Sequence, residues 1–169
     1  DKTYEGTLRL GIETDSQDAD GQIVAEKDAT AITADQVRAQ FDARRGDQLQ
    51  TPPMVSAIKL NGVPLYKLAR KGETVERKPK LIHVYRFDLL DFAPPDVRFV
   101  VECTKGTYVR TLAHDVGQSL GVGAHLVQLR RTKIGRIDVA HAHALDALLD
   151  APSLDGKIIP LAAALPLLS

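Results

Sequence analysis

The chain of 169 residues is 44% hydrophobic and 26% charged, enough for one domain with a real core and too short for two full ones. Its 22 basic and 22 acidic residues cancel, which excludes a nucleic-acid binder that works by bulk charge. The longest apolar run, residues 158–168, is short and carries Pro160 and Pro166, no secretory pattern opens the chain, and Cys103 has no second cysteine to pair with; a reducing, cytoplasmic setting fits.

Tyr4, Gly6, Leu8 and Leu10 alternate along one face and predict a first strand. A polar turn over residues 14–21 leads to a short strand at Gln22 to Ala25. Thr33 with Gln36 makes a capping box, Val37 and Phe41 lie one helical turn apart, and Gly46 closes the segment, so a helix is expected from about residue 34 to 45. Pro52-Pro53 forces an extended path, and Pro64 at a first helical position, with Leu65, Leu68 and Ala69 inward, opens a short helix ending at Gly72. Residues 81–92 and 97–103 read as one antiparallel hairpin across Ala93-Pro94-Pro95-Asp96. A third helix carries Leu112, Ala113, Val116 and Leu120 on one face and stops at Gly121. Beyond it, Arg136 to Val139 reads as a strand, Ala144 to Leu149 as a short helix, and Pro160 to Leu168 as a last amphipathic turn or two. The order gives an α+β fold, a mixed, largely antiparallel sheet with flanking helices.

Between the hairpin and the third helix stands Lys105-Gly106-Thr107-Tyr108-Val109-Arg110-Thr111-Leu112. If the chain stays extended through Arg110, Tyr108 and Arg110 project to the same side and place an aromatic ring beside a fixed cation. From spacing alone the alternative is a strand end with a half-buried tyrosine and a solvated arginine. Basic residues gather in two stretches, Arg70, Lys71, Arg77, Lys78 and Lys80, then Arg130, Arg131, Lys133 and Arg136. Converging, they would track phosphates; apart, they are solvated faces.

Other chemistries fail on their spacing. Aligning Gly21 with the glycine of a calcium-binding EF-hand loop puts Lys27 where a bidentate Glu is required. His141 and His143 could share a strand face but lack a third metal ligand, and Ser56 lacks a nucleophile elbow. Asp115 reads as a first-turn residue favoured by the helix dipole, and His125 either as a donor to a backbone or phosphate group or as a satisfied, half-buried histidine.

Taken in order, several pieces resemble the bacterial tRNA pseudouridine-55 synthase family, the TruB type, along nearly the whole chain. They are Asp1-Lys2-Thr3-Tyr4, Leu10-Gly11, Thr14-Asp15 with Asp18-Ala19-Asp20-Gly21, Pro52-Pro53 with Ser56-Ala57-Ile58-Lys59, Tyr66 to Gly72, Lys105 to Leu112, Gly123-Ala124-His125-Leu126 and Leu129-Arg130-Arg131. The resemblance implies an isomerase that converts a flipped-out uridine of the tRNA T-loop, position 55, to pseudouridine without metal or cofactor. It implies that Tyr4 stacks on the target base, that Arg110 pairs with the catalytic aspartate, and that Tyr108 and Leu129 line the uracil pocket. Lys105, His125, Arg130 and Arg131 are its further expected substrate contacts.

Two departures shape the expectation. The family's nucleophilic aspartate lies in a Leu-Asp-Pro loop upstream of the Lys-x-Tyr strand, and no Leu-Asp-Pro occurs in these residues. The family's C-terminal PUA-type domain is likewise not among them, and Val55 stands where the family usually has an aromatic. Residues 1–169 are therefore expected to form the central and C-terminal part of a catalytic domain, inactive alone. The expected partners are the tRNA T-arm and, at apolar edges left open along the Tyr4 strand, the missing N-terminal segment or a second copy. Two other readings stand beside it: a non-catalytic RNA-binding module that keeps the pocket, and a protein-interaction domain that uses the open edge.

Overall fold

The computed structural model describes residues 1–56, 59–60, 62–69, 72 and 75–165. Its elements are β1 (Lys2–Leu10), β2 (Ile12–Thr14), β3 (Ile23–Glu26), α1 (Ala34–Asp42), β4 (Gly46–Gln50), β5 (Lys59–Leu60), β6 (Val63–Pro64) and α2 (Leu65–Ala69). After these come β7 (Lys80–Ala93), β8 (Asp96–Cys103), α3 (Val109–Ser119), β9 (Ala124–Ile134), β10 (Ile137–Asp138), α4 (Leu145–Leu149) and α5 (Leu161–Ala164). Six strands form one antiparallel sheet in the order β10-β9-β1-β8-β7-β4, and two small ladders, β2-β3 and β5-β6, stand outside it.

The α+β architecture is as expected, and its core follows the alternation read from the sequence. Leu8 and Leu10 of β1, Val97, Phe99 and Val101 of β8, and Ile82, Val84 and Phe87 of β7 turn one face toward α1 and α3. Val37 and Phe41 of α1 and Leu112, Ala113 and Val116 of α3 fill that face, with Cys103 fully buried among them. Phe41 stacks on Phe87 with ring centroids 3.9 Å apart, and Phe99 meets both edge-on, an offset and T-shaped set that suits the ring quadrupoles. The Thr33–Gln36 capping box starts α1, and Gly46 at φ +87° lets the chain leave that helix for β4. Among the described residues no helix is long and apolar enough to cross a membrane.

The structure corrects several expectations. The chain does not stay extended through Arg110. A turn at Lys105–Gly106 is closed by Thr107 N–H and Oγ1 donating to the Thr104 carbonyl, Tyr108 becomes the N-cap, and α3 begins at Val109. Tyr108 has no neighbouring strand to continue the ladder, and its carbonyl instead accepts from the Thr111 and Leu112 amides, which nucleates the helix. Asp115 consequently lies mid-helix rather than in the first turn. β1 is not an edge: β8 and β9 pair with both of its sides, leaving β4 and β10 as the outermost strands.

Five strands, β2, β4, β5, β6 and β9, were not foreseen. β9 hides its period because its register against β1 shifts twice, between Thr3 and Tyr4 and between Thr7 and Leu8. β4 is short and mostly polar. Smaller differences follow the same local physics: α1 ends at Asp42, Pro64 closes β6 so that α2 starts at Leu65, and His141 sits in a 3-10 turn, not on a strand. Arg70 and Lys71 of the first basic stretch, Ala57 and Ile58 of the Pro52 segment, and Pro166 to Ser169 lie outside the described residues.

Candidate functional site

Three pieces of chain meet beside the middle of the sheet. β1 and β9 lie side by side with Tyr4 opposite Arg131 and Gly6 opposite Leu129, so Tyr4, Leu129 and Arg131 share the face toward α3. The start of α3 brings Tyr108 and Arg110 to the same place, and the turn between β2 and β3 brings Asp18. Tyr4, Asp18, Thr107, Tyr108, Arg110 and Leu129 are among the walls of the resulting cavity, which has a volume of about 410 Å3. Tyr108 and Arg110 thus converge as expected, by a helix cap and a long side chain rather than by strand alternation.

The acidic turn is a built structure. Thr14 Oγ1 donates to the Asp18 carbonyl at 2.7 Å, Ser16 Oγ donates to Asp18 Oδ1 at 2.5 Å, and the Asp20 amide reaches the same oxygen at 3.2 Å. Two bonds through Gln17 pin the turn in place: its carbonyl accepts from Leu126 N on β9 at 3.0 Å, and its Oε1 accepts from Thr111 Oγ1 on α3 at 2.7 Å. This geometry aims Asp18 Oδ2 at Arg110, whose Nη1 donates to it at 2.5 Å, while Nη2 donates to the Val55 carbonyl.

Charge at the site is settled by these contacts. Burial pushes the Asp18 carboxyl up, but the Ser16 hydroxyl, the Arg110 guanidinium and the Asp20 amide together hold it below the ordinary aspartate value. Asp18 is therefore an anion at neutral pH, and both it and Arg110 are only about a fifth exposed, at 23% and 20%. For Tyr4 the balance goes the other way: burial first, then the Cys103 thiol, push the phenol above its usual range, against the pull of Arg131.

Tyr108 is held by its backbone. Gln50, buried at the end of β4, donates from Nε2 to the Tyr108 carbonyl at 3.1 Å and accepts from the Tyr108 amide at 2.8 Å. The side-chain amide thus supplies the ladder partner that the sheet does not.

The other residues singled out in the sequence separate into near and far. Arg131 lies beside Tyr4. Arg130 stands opposite Glu5 on the other face of the sheet, where it lines a shallow groove with Arg98. Lys105 is exposed at its turn and is not a wall of the cavity. His125 is buried, at 7% exposure, and its Nδ1 donates to the Ile12 carbonyl at 2.9 Å. This is the donation to a backbone group that its sequence allowed, made by a buried ring. Asp18 and Gln50 are the residues that sequence reasoning missed as parts of the site. Asp18 stood within a recognised motif but was tested only as a calcium ligand, and Gln50 carried no signal. Among the described residues no group of three or more His, Cys, Asp or Glu side chains is placed to hold a metal ion.

Comparison with known proteins adds an independent line. The family model described as TruB family pseudouridylate synthase (N terminal domain) matches residues 1–109, and that of the tRNA pseudouridylate synthase B C-terminal domain matches residues 110–165. The tRNA pseudouridine synthase B of Opitutus terrae is 52% identical over 168 residues, covering 98% of this chain and 70% of that protein. The protein of the same name from Burkholderia mallei is 48% identical over 169 residues, which is 100% of this chain and 55% of that protein. The chain thus spans between 55% and 70% of the length of these relatives. A chain of a solved Cbf5-Nop10-Gar1 complex superposes with a TM-score of 0.65 at 26% identity, over 94% of this chain and 38% of that one. A chain of an H/ACA RNP bound to a substrate RNA containing 2'-deoxyuridine shares the fold, with a TM-score of 0.58 at 22% identity, over 88% of this chain and 33% of that one.

Proposed function

The chain belongs to the TruB family of pseudouridylate synthases, and on that footing we propose that residues 1–169 carry the uridine pocket of a tRNA pseudouridine synthase acting in the T-loop, at position 55. The observation that carries this reading is the convergence of Tyr4, Tyr108, Leu129 and Arg110 on one cavity of about 410 Å3, large enough for a flipped-out base. Tyr4 offers the base an aromatic face, Tyr108 and Leu129 close the pocket around it, and Arg110 supplies a positive charge at its inner end.

The reaction breaks the bond from C1′ of the ribose to N1 of the uracil, turns the base, and forms a bond from C1′ to C5, after which C5 gives up its hydrogen as a proton and N1 takes one up. A carboxylate nucleophile starts it, and the family's Leu-Asp-Pro loop is not among residues 1–169. Arg110 retains capacity for that carboxylate. Among the described residues, one N–H on each terminal nitrogen is engaged, by Asp18 and by the Val55 carbonyl, and a guanidinium carries five donors in a planar fork. Asp18 in this reading is the anchor that aims Arg110, and residues outside this span supply the nucleophile and the PUA-type RNA-binding domain. Residues 1–169 alone bind the T-arm and do not turn it over.

The test uses a tRNA transcript tritiated at C5 of its uridines, incubated with the full-length protein and with residues 1–169. The full-length protein should release tritium from one T-loop uridine, while the shorter chain retains RNA and releases none. Tight binding with no release by the full-length protein would replace the synthase reading with that of an RNA-binding module that keeps the pocket.

A further inference from the structure

Arg131, the ladder neighbour of the cavity wall Tyr4, enters none of the ion pairs among the described residues. Beside an RNA pocket such a group is by default a contact for a phosphate. Its place in the sheet assigns it differently. Arg131 and Tyr4 are directly opposite in the β1–β9 ladder and on the same face, an arrangement that puts Cβ atoms within roughly 4.5–5.5 Å of each other. A guanidinium can only donate hydrogen bonds, whereas a phenol both accepts and donates.

We propose that Arg131 is the positioning residue of Tyr4: its guanidinium donates to the phenolic oxygen, fixes the ring, and leaves the phenolic hydrogen directed into the cavity. A base entering the pocket then meets an aromatic face and one oriented donor, which suits a carbonyl-bearing pyrimidine such as uracil. This role rests on the reading of the cavity as a uridine pocket. Arg130 cannot share it, because it projects from the opposite face.

The groups that face Tyr4 are few. Cys103 approaches from β8 and Arg131 from β9, while the Asp18–Arg110 pair lies across the cavity. Burial and Cys103 disfavour the phenolate, and Arg131 opposes them, so removal of Arg131 has a defined sign.

The experiment titrates Tyr4 in residues 1–169 by NMR of ring-labelled tyrosine, with the resonance assigned through Tyr4→Phe. Arg131→Met should lower the phenolate fraction at a given alkaline pH about tenfold, the effect of losing one close positive charge. Arg131→Lys should restore most of it, Arg130→Met should leave it unchanged, and unmoved Tyr85 and Tyr108 resonances report an intact fold. An unaltered Tyr4 titration in Arg131→Met overturns the proposal. In the full-length protein Arg131→Met should lower kcat with KM unchanged. A rise in KM alone would make Arg131 a phosphate contact and also overturn it. The titration involves no RNA, so it stands or falls separately from the pocket's assignment to uridine.

Discussion

Gln50 and Tyr108, 58 residues apart, are joined by two hydrogen bonds in which one side-chain amide serves both the N–H and the C=O of a single backbone residue. The arrangement imitates a strand partner at the point where the sheet has run out. It holds Tyr108 at the cavity wall while freeing the next residues to begin α3.

Gln50→Ala should therefore loosen the pocket before it unfolds the domain. Gln50 is buried, and a buried backbone group left without a partner costs about 1–3 kcal/mol. The check is a urea midpoint together with hydrogen exchange at the Tyr108 amide, which should speed up more than exchange in β7 and β8. Gln50→Glu keeps the acceptor but turns a second oxygen toward the Tyr108 carbonyl, so its defect should ease as acid protonates the new carboxyl.

The Asp18 carboxyl makes an acid-sensitive latch. Its folded pKa lies below the ordinary aspartate value, so its stabilising contribution is present above that value and is lost as pH falls through the folded pKa. Wild-type stability should decline on acidification from about pH 4 downward, and Asp18→Asn should lack that part of the decline. At neutral pH the variant should be less stable by about 1–3 kcal/mol, since Arg110 loses a charged acceptor in a site where it is mostly buried. Urea unfolding across a pH series reads both effects.

Gly117 seats α3 on β9. An added Cβ there would overlap the backbone of Gly123 and Ala124, which has no flexible end to move aside. Gly117→Ala gains about 1 kcal/mol in helix propensity and loses about 1–3 kcal/mol through overpacking, so the net effect should be destabilising. It should also weaken RNA binding, because lifting α3 moves Arg110. Unchanged stability and affinity would show that the helix tolerates a shift.

Asp115 is a mid-helix carboxylate whose pKa is raised by burial, only partly offset by His114 and Arg44. Its neutral form suits the fold, so its contribution is full below the ordinary aspartate value and is lost as pH rises through the raised one. Asp115→Asn should raise Tm at neutral pH and leave it nearly unchanged at pH 3. Arg44 would keep its bonds to the Gln40 carbonyl and side chain, the Asp115 carbonyl and Ser119.

What the sequence made legible was whatever repeats. Val97, Phe99, Val101 and Cys103 alternate cleanly and lie fully buried in β8, and the Thr33–Gln36 box marks the start of α1 to the residue. β9 escaped because two bulges break its period and because its solvent-facing Gln128 to Arg131 resemble a charged loop. The site was legible in its ring and cation, Tyr108 and Arg110, but not in how they meet, since a helix cap depends on a partner as distant as Gln50. The partner of His125 was illegible for a related reason: its acceptor is the carbonyl of Ile12, which only the folded chain brings near.

The placement of β9 beside β1 also governs when the pocket can exist. Thr132 Oγ1 donates to the Thr3 carbonyl across 129 residues of chain, so the Tyr4 wall waits for β9 to emerge before its second neighbour arrives. A growing polypeptide that ends near residue 109 can pair β1 with β8 yet leaves the other flank of β1 bare, a register open to wrong partners. Pairings this distant fold slowly. Synthesis of this protein therefore has a vulnerable interval that closes only with β9, and shielding of the nascent chain matters most then.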